Sequence, residues 1–150
     1  MKEKVLVTGV SGFLAGHVAL ELLNRGYSVR GSLRNLARAD SVSAMLDKPG
    51  RDSGRLDFCQ LDLLCDDGWA DAVQGCRYVV HIASPFVLTM PKESDEILRP
   101  ALDGTRRMIL AALDAGVERI VLTSSVAAID NGHRRYDHVL GPDDWTDPDG

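Results

Sequence analysis

The sequence predicts an α/β fold built on a doubly wound parallel sheet. Short apolar runs alternate with helical patterns along the 150 residues. The run Val5-Leu6-Val7 leads into a glycine-rich turn, Thr8-Gly9-Val10-Ser11-Gly12-Phe13-Leu14-Ala15-Gly16-His17. That turn opens a helical pattern through Ala19, Leu20, Leu22 and Leu23. Tyr78–Ala83 is apolar almost throughout, as a strand buried on both faces should be.

The elements follow in order. Lys4–Thr8 is a short strand, and Phe13–Arg25 is a helix ended by Gly26 at a C-cap position. Tyr27–Leu33 alternates as a strand does. Leu36–Leu46 is a helix, followed by a polar loop from Asp47 to Arg55. Leu56–Leu61 is the third strand. Asp66–Val73 is a helix with acidic residues in its first turn, ended by Gly75. After the fourth strand, Ser94–Ala115 is a long helix with Ser94 as its N-cap. Pro100 bends that helix and Gly116 ends it. Arg119–Thr123 is the fifth strand, and Asp130–Gly150 is loop. Right-handed crossovers then give a Rossmann sheet of order 3-2-1-4-5.

A net charge of −5 argues against a nucleic-acid or anionic-membrane surface, because both demand a basic patch. No apolar run approaches a membrane span. The first strand begins by residue 4, which leaves no room for a signal peptide. Cys59, Cys65 and Cys76 are odd in number and lack metal-ligand spacing, so reduced thiols in a cytoplasmic protein are expected and no metal. Cys59 falls in an apolar strand and reads as core.

The glycine turn has a physical purpose. Glycine lets the chain reverse sharply and lets a bulky anion approach the backbone. The following helix aims free N–H groups and its positive dipole end at that anion. Residues 5–24 therefore read as a dinucleotide pyrophosphate site. At the end of strand two, Arg30-Gly31-Ser32-Leu33-Arg34 carries no acid before Asp40. Arg34 can pair with a ribose 2′-phosphate and Arg38 can reinforce it, which favours NADP over NAD. The bland alternative is a solvated surface arginine. Asp62 can accept from an adenine amino group and Leu63 can cover the ring; the alternative is a turn aspartate. Ile82, Ala83 and Ser84 lie where strand order reverses, and the small residues leave room for a cofactor. His81 reads as a satisfied core histidine and His17 as a helix residue packing locally.

Several stretches, in order, are similar to the extended short-chain dehydrogenases/reductases, in the branch of dihydroflavonol, cinnamoyl-CoA and aldehyde/ketone reductases. They are Val7-Thr8-Gly9-Val10-Ser11-Gly12-Phe13-Leu14-Ala15, Val29–Arg34, Leu61-Asp62-Leu63, Val80–Pro85, Arg119–Ser125 and Asp143-Asp144-Trp145. The resemblance implies an NADP site at Gly9, Gly12, Phe13, Leu14, Arg34, Asp62, Leu63, Ile82, Ala83, Ser84 and Ser124. It also implies that Ser125 is a catalytic serine bonding the carbonyl oxygen of a small-molecule substrate. In that family a tyrosine donates the proton and a lysine supports it, because hydride arriving at carbonyl carbon builds negative charge on oxygen. Without the resemblance, a strand-end turn residue is the favoured reading of Ser125.

Three departures matter. Ala15 replaces the third fingerprint glycine. Ala101 stands where many sugar epimerases carry asparagine, which pulls the reading toward reductases. No Tyr-x-x-x-Lys pair occurs: Tyr136 is followed four positions on by Leu140, and no lysine follows Lys92. The expectation is therefore the N-terminal cofactor half of a longer NADPH-dependent carbonyl reductase, binding nucleotide poorly and catalysing little by itself. A non-catalytic NADP sensor and a sugar-nucleotide epimerase or dehydratase are the alternatives. Asp130, Asn131 and His133 line a substrate mouth or a plain solvated loop. Arg134 and Arg135 meet an anionic substrate or water. Pairing as a homodimer through the long helix is left open.

Overall fold

The computed structural model describes residues 3–46, 53–85, 95–132 and 138–147. Five parallel strands form one sheet in the order β3-β2-β1-β4-β5, as expected. They are β1 (Lys4–Val7), β2 (Ser28–Leu33), β3 (Leu56–Gln60), β4 (Tyr78–His81) and β5 (Arg119–Leu122). Helix α1 (Phe13–Asn24) follows β1. A 3-10 turn, Leu36–Arg38, and helix α2 (Ala39–Leu46) follow β2. Helix α3 (Trp69–Val73) precedes β4, helix α4 (Asp95–Asp114) precedes β5, and the short α5 (Ala127–Asp130) ends the sequence of elements.

Strand β1 is the centre of the sheet and shows why the molecule has two cores. Side chains alternate faces along a strand. Val5 and Val7 point toward α1 and α2, joining Val29, Ala19 and Leu23. Leu6 points the other way, toward α3 and α4, joining Val79, Trp69 and Met108. Helix α1 buries Ala15, Ala19 and Leu23, spaced by four, so its inner stripe is narrow and mostly small. That lets the helix lie close to the sheet.

The alternation also places Arg30 on the α3 side. Its Nη1 donates to the carbonyls of Asp71, Ala72 and Gln74, at 3.0 to 3.1 Å. These carbonyls cluster at the C-terminal end of α3, where a cation is favoured. Its Nε donates to Asp57 Oδ1 at 3.1 Å, and Lys4 Nζ donates to Asp57 Oδ2 at 2.7 Å. One carboxylate thus ties β1, β2 and β3 together. Burial pushes the Asp57 carboxyl up, but the bonds and charges of Arg30 and Lys4 outweigh it and hold it below the ordinary carboxylate range.

Several boundaries move inward. Helix α3 starts at Trp69 and not Asp66, because Gly68 at φ +85° sets the chain's entry into the helix. The segment expected to be one helix from Leu36 begins as a 3-10 turn, capped by Asn35 Oδ1 accepting from Ala37 N–H at 2.9 Å. Between β5 and the loop expected from Asp130, α5 forms and shares only Asp130 with that loop, and Thr146 N–H donates back to the Ala128 carbonyl at 3.0 Å. Helix α4 runs through Pro100, which lies early in it, where the missing N–H leaves a carbonyl on the exposed Glu96. Ser94 and residues 47–52 lie outside the described residues. No helix among the described residues is long and apolar enough to cross a membrane.

Cys59 is half-buried, Cys76 buried and Cys65 exposed. Burial pushes the Cys59 thiol up to about 11, so it stays protonated at neutral pH. Iodoacetamide should therefore modify Cys65 at least tenfold faster than Cys59 or Cys76, as read by peptide mass mapping. Equal rates would contradict the burial of the other two.

Candidate functional site

The carboxyl ends of the five strands meet at one edge of the sheet, and the order reverses between β1 and β4. A parallel sheet splits its connections to opposite faces there and leaves a crevice. The turn after β1 forms its floor.

That turn is held from both sides. Gly9 has φ +69°, and a Cβ placed on it would stand 3.2 Å from both Cα and Cβ of Ala83. Only glycine satisfies both conditions without strain. From β2, Ser32 Oγ accepts the Gly9 N–H at 3.0 Å and the Ser32 carbonyl accepts the Val10 N–H at 3.1 Å. Within the turn, the Gly12 N–H donates to the Gly9 carbonyl at 2.9 Å. The Gly16 N–H donates to the Gly12 carbonyl at the same distance.

These bonds decide which amides of the turn are already committed. Gly9 spends its N–H on Ser32 and Gly12 spends its own on the Gly9 carbonyl, so their contribution is backbone shape. The amides at the head of α1 without a partner among the described residues are those of Phe13, Leu14 and Ala15. Phe13 is 85% exposed and Leu14 half-exposed. Phe13 packs edge-on against the His17 ring at 4.6 Å, which is the local packing expected for His17. Ala15, in the place of the third glycine, is buried against the sheet.

On the β4 side, Thr8 Oγ1 accepts the N–H groups of Ile82 and Ala83 at 3.0 and 2.9 Å. Its third contact is His81 Nδ1, also at 3.0 Å. His81 is buried as expected, but only half satisfied: its Nε2 has no hydrogen-bond partner among the described residues. Ser84 is exposed at the crevice mouth.

The outer walls are looser. Arg34 and Arg38 are exposed beyond β2, and neither guanidinium has a partner among the described residues. The Arg34 backbone is fixed by Gln60, whose Nε2 donates to its carbonyl at 3.2 Å. Asp62 makes the turn expected as its bland alternative: Oδ1 accepts the Leu64 N–H at 2.9 Å, and Oδ2 has no partner among the described residues. Leu63 is half-buried against α4, where a Cβ on Gly104 would overlap its side chain. Ser124 and Ser125 are exposed just past β5, and Ser125 Oγ accepts the Ala127 N–H at 3.3 Å. Among the described residues, the Ser125 hydroxyl proton has no acceptor. Asp130 ends α5 and Asn131 follows it, and the Asn131 N–H donates to Thr146 Oγ1 at 3.2 Å. His133, Arg134, Arg135 and Tyr136 lie outside the described residues.

Sequence reasoning missed Ser32 and Thr8 as builders of the site. The available signal was a hydroxyl residue inside an otherwise apolar strand end, where a buried polar group demands a partner.

Fold and crevice together define a Rossmann-type α/β protein. The model of the NAD dependent epimerase/dehydratase family matches residues 5–146, and the chain belongs to that family. Within it, the relatives place the chain in the extended short-chain reductase branch. It is 41% identical over 148 residues to cinnamoyl-CoA reductase 1 of Oryza sativa subsp. japonica, covering 97% of this chain and 41% of the relative. It is 35% identical over 149 residues to dihydroflavonol 4-reductase of Zea mays, covering 99% and 41%. Among solved structures, Gre2 of Candida albicans in complex with NADPH superposes with a TM-score of 0.80 at 29% identity, covering 96% of this chain and 44% of that one. The chain thus spans about two-fifths of the length of the curated relatives it matches.

Proposed function

We propose that this chain is the cofactor-binding half of an NADPH-dependent oxidoreductase that reduces a carbonyl, such as an aldehyde, a ketone or a dihydroflavonol-like substrate, to an alcohol. The observation that carries the reading is the crevice. Among the described residues, three amides without a partner lie at the positive end of α1, and two guanidinium groups without a partner stand beyond β2. A diphosphate fits the first set, and a ribose 2′-phosphate fits the second. The NADPH complex of the similar Gre2 structure supports the same class of ligand.

In this reading the amides of Phe13, Leu14 and Ala15 bind the pyrophosphate, on a turn shaped by Gly9 and Gly12. Arg34 pairs with the 2′-phosphate and Arg38 reinforces it. Asp62 Oδ2 accepts from the adenine amino group and Leu63 lies against the ring. Ile82, Ala83, Ser84 and Ser124 line the path toward the nicotinamide, which supplies the hydride. Ser125 hydrogen-bonds the substrate's carbonyl oxygen through its hydroxyl, keeping its proton, as charge builds there. The tyrosine and lysine that family members use for proton transfer have no counterpart at that spacing in these 150 residues.

Arg34→Asp tests the assignment. Nucleotide affinity is read by NMR titration, which remains quantitative for weak binding. The native chain should prefer NADPH to NADH. The variant should lose about tenfold or more in NADPH affinity, as expected for a lost charge-assisted pair, with NADH little changed. Equal affinities for the two cofactors before and after the change would remove the 2′-phosphate role.

A further inference from the structure

Among the described residues, the buried polar side chains are Thr8, Ser32 and His81, at 1%, 3% and 2% exposure. All three border the same turn. Ser32 holds Gly9, and Thr8 holds the end of β4. His81 reaches the turn through Thr8 and makes no hydrogen bond to Gly9 among the described residues. Its polar contact is the Thr8 hydroxyl.

The bonding of Thr8 fixes the direction of that contact. A hydroxyl has one proton and two acceptor lone pairs. The Ile82 and Ala83 amides are donors and occupy both lone pairs. The hydroxyl proton must therefore go to His81 Nδ1, which accepts it. The ring then carries its own proton on Nε2. That N–H is buried and has no acceptor among the described residues, with the Trp69 ring centroid 6.2 Å away and tilted by 58°. Leaving a buried donor unpaired is unfavourable. An aliphatic side chain would avoid that penalty, so packing alone does not account for a histidine here.

We propose that His81 is a positioning residue: by accepting the Thr8 proton it commits the Thr8 oxygen to the Ile82 and Ala83 amides, and so holds the β1–β4 crevice in the shape that receives the dinucleotide. The inference rests on the NADPH reading above. Without the Nδ1 acceptor, the Thr8 proton competes for a new partner. The hydroxyl turns, one of the two amides is released, and Ala83 loses its fixed place against Gly9.

Two measurements on the whole 150-residue chain test this. The first is the ring tautomer of His81 by nitrogen NMR, with Nδ1 expected unprotonated and Nε2 protonated at neutral pH. The second compares His81→Asn with His81→Leu. The Asn carbonyl can occupy the place of Nδ1, so His81→Asn should keep NADPH affinity within about threefold, whereas His81→Leu should weaken it about tenfold. Native affinity in His81→Leu, or no rescue by Asn, overturns the proposal. So does a proton on Nδ1, which decides the matter even if the Leu variant fails to fold. A native chain with the expected tautomer but no NADPH affinity would instead sink the cofactor reading, and the positioning role with it, while the Thr8 bond stands.

Discussion

Replacing Gly9 with valine is expected to unfold or severely destabilise the chain, by roughly 3 kcal/mol or more, and to abolish measurable NADPH binding. Two costs combine. A β-branched residue at φ +69° is a strained outlier, and its Cβ meets the Ala83 backbone at 3.2 Å. The comparison that isolates the second cost is Gly75→Ala. Gly75 has a similar φ of +73°, but a Cβ there meets nothing within 4 Å. It should cost only about 1 kcal/mol, the left-handed penalty by itself. Urea unfolding of both variants provides the check. A Gly9 variant no worse than Gly75→Ala would mean that the Gly9–Ala83 approach is not required.

Acid should destabilise the protein earlier than its carboxylates alone would. Burial pushes His81 down from 6.5 to about 4, and no charged side chain contributes to that shift. Between those two pH values the unfolded chain binds a proton that the folded one refuses. Stability is therefore full above about pH 6.5, and it falls as pH drops through that window toward 4. The loss amounts to roughly 3 kcal/mol, a large share of a typical domain's stability. Asp57, held low by Arg30 and Lys4, adds its own loss only as pH falls below its ordinary value of 3.8. His81→Asn lacks the titrating ring, so its stability should be nearly flat between pH 6.5 and 5. An unfolding free energy for the native chain that is equally flat would contradict a neutral buried histidine.

The glycine turn of the candidate site could be located from the sequence to within a few residues, but its wiring could not. Glycine spacing between an apolar strand and a helix placed the turn at residues 9–16. The absence of an acid after β2 drew attention to Arg34. Yet Gly9 donates to Ser32 and Gly12 to the Gly9 carbonyl, and the donors left at the head of α1, among the described residues, belong to Phe13, Leu14 and Ala15. Spacing cannot reveal this, because which N–H is free depends on Ser32 reaching across from another strand. Asp62 and Ser125 both make the local turns that their residue types favour, with one oxygen or one proton left over. Their strand-end positions were readable from the sequence, while that remaining capacity was visible only in space.

The sequence by itself determined the order of elements, the parallel sheet and the position of its crevice, because those follow from local period, glycine placement and crossover handedness. Only the tertiary structure decided how the crevice is held. Gly9 meets Ser32 across 23 positions, and Thr8 meets His81 across 73. Contacts at that separation leave no periodic trace in a single chain, and they form only when the sheet brings β1, β2 and β4 side by side.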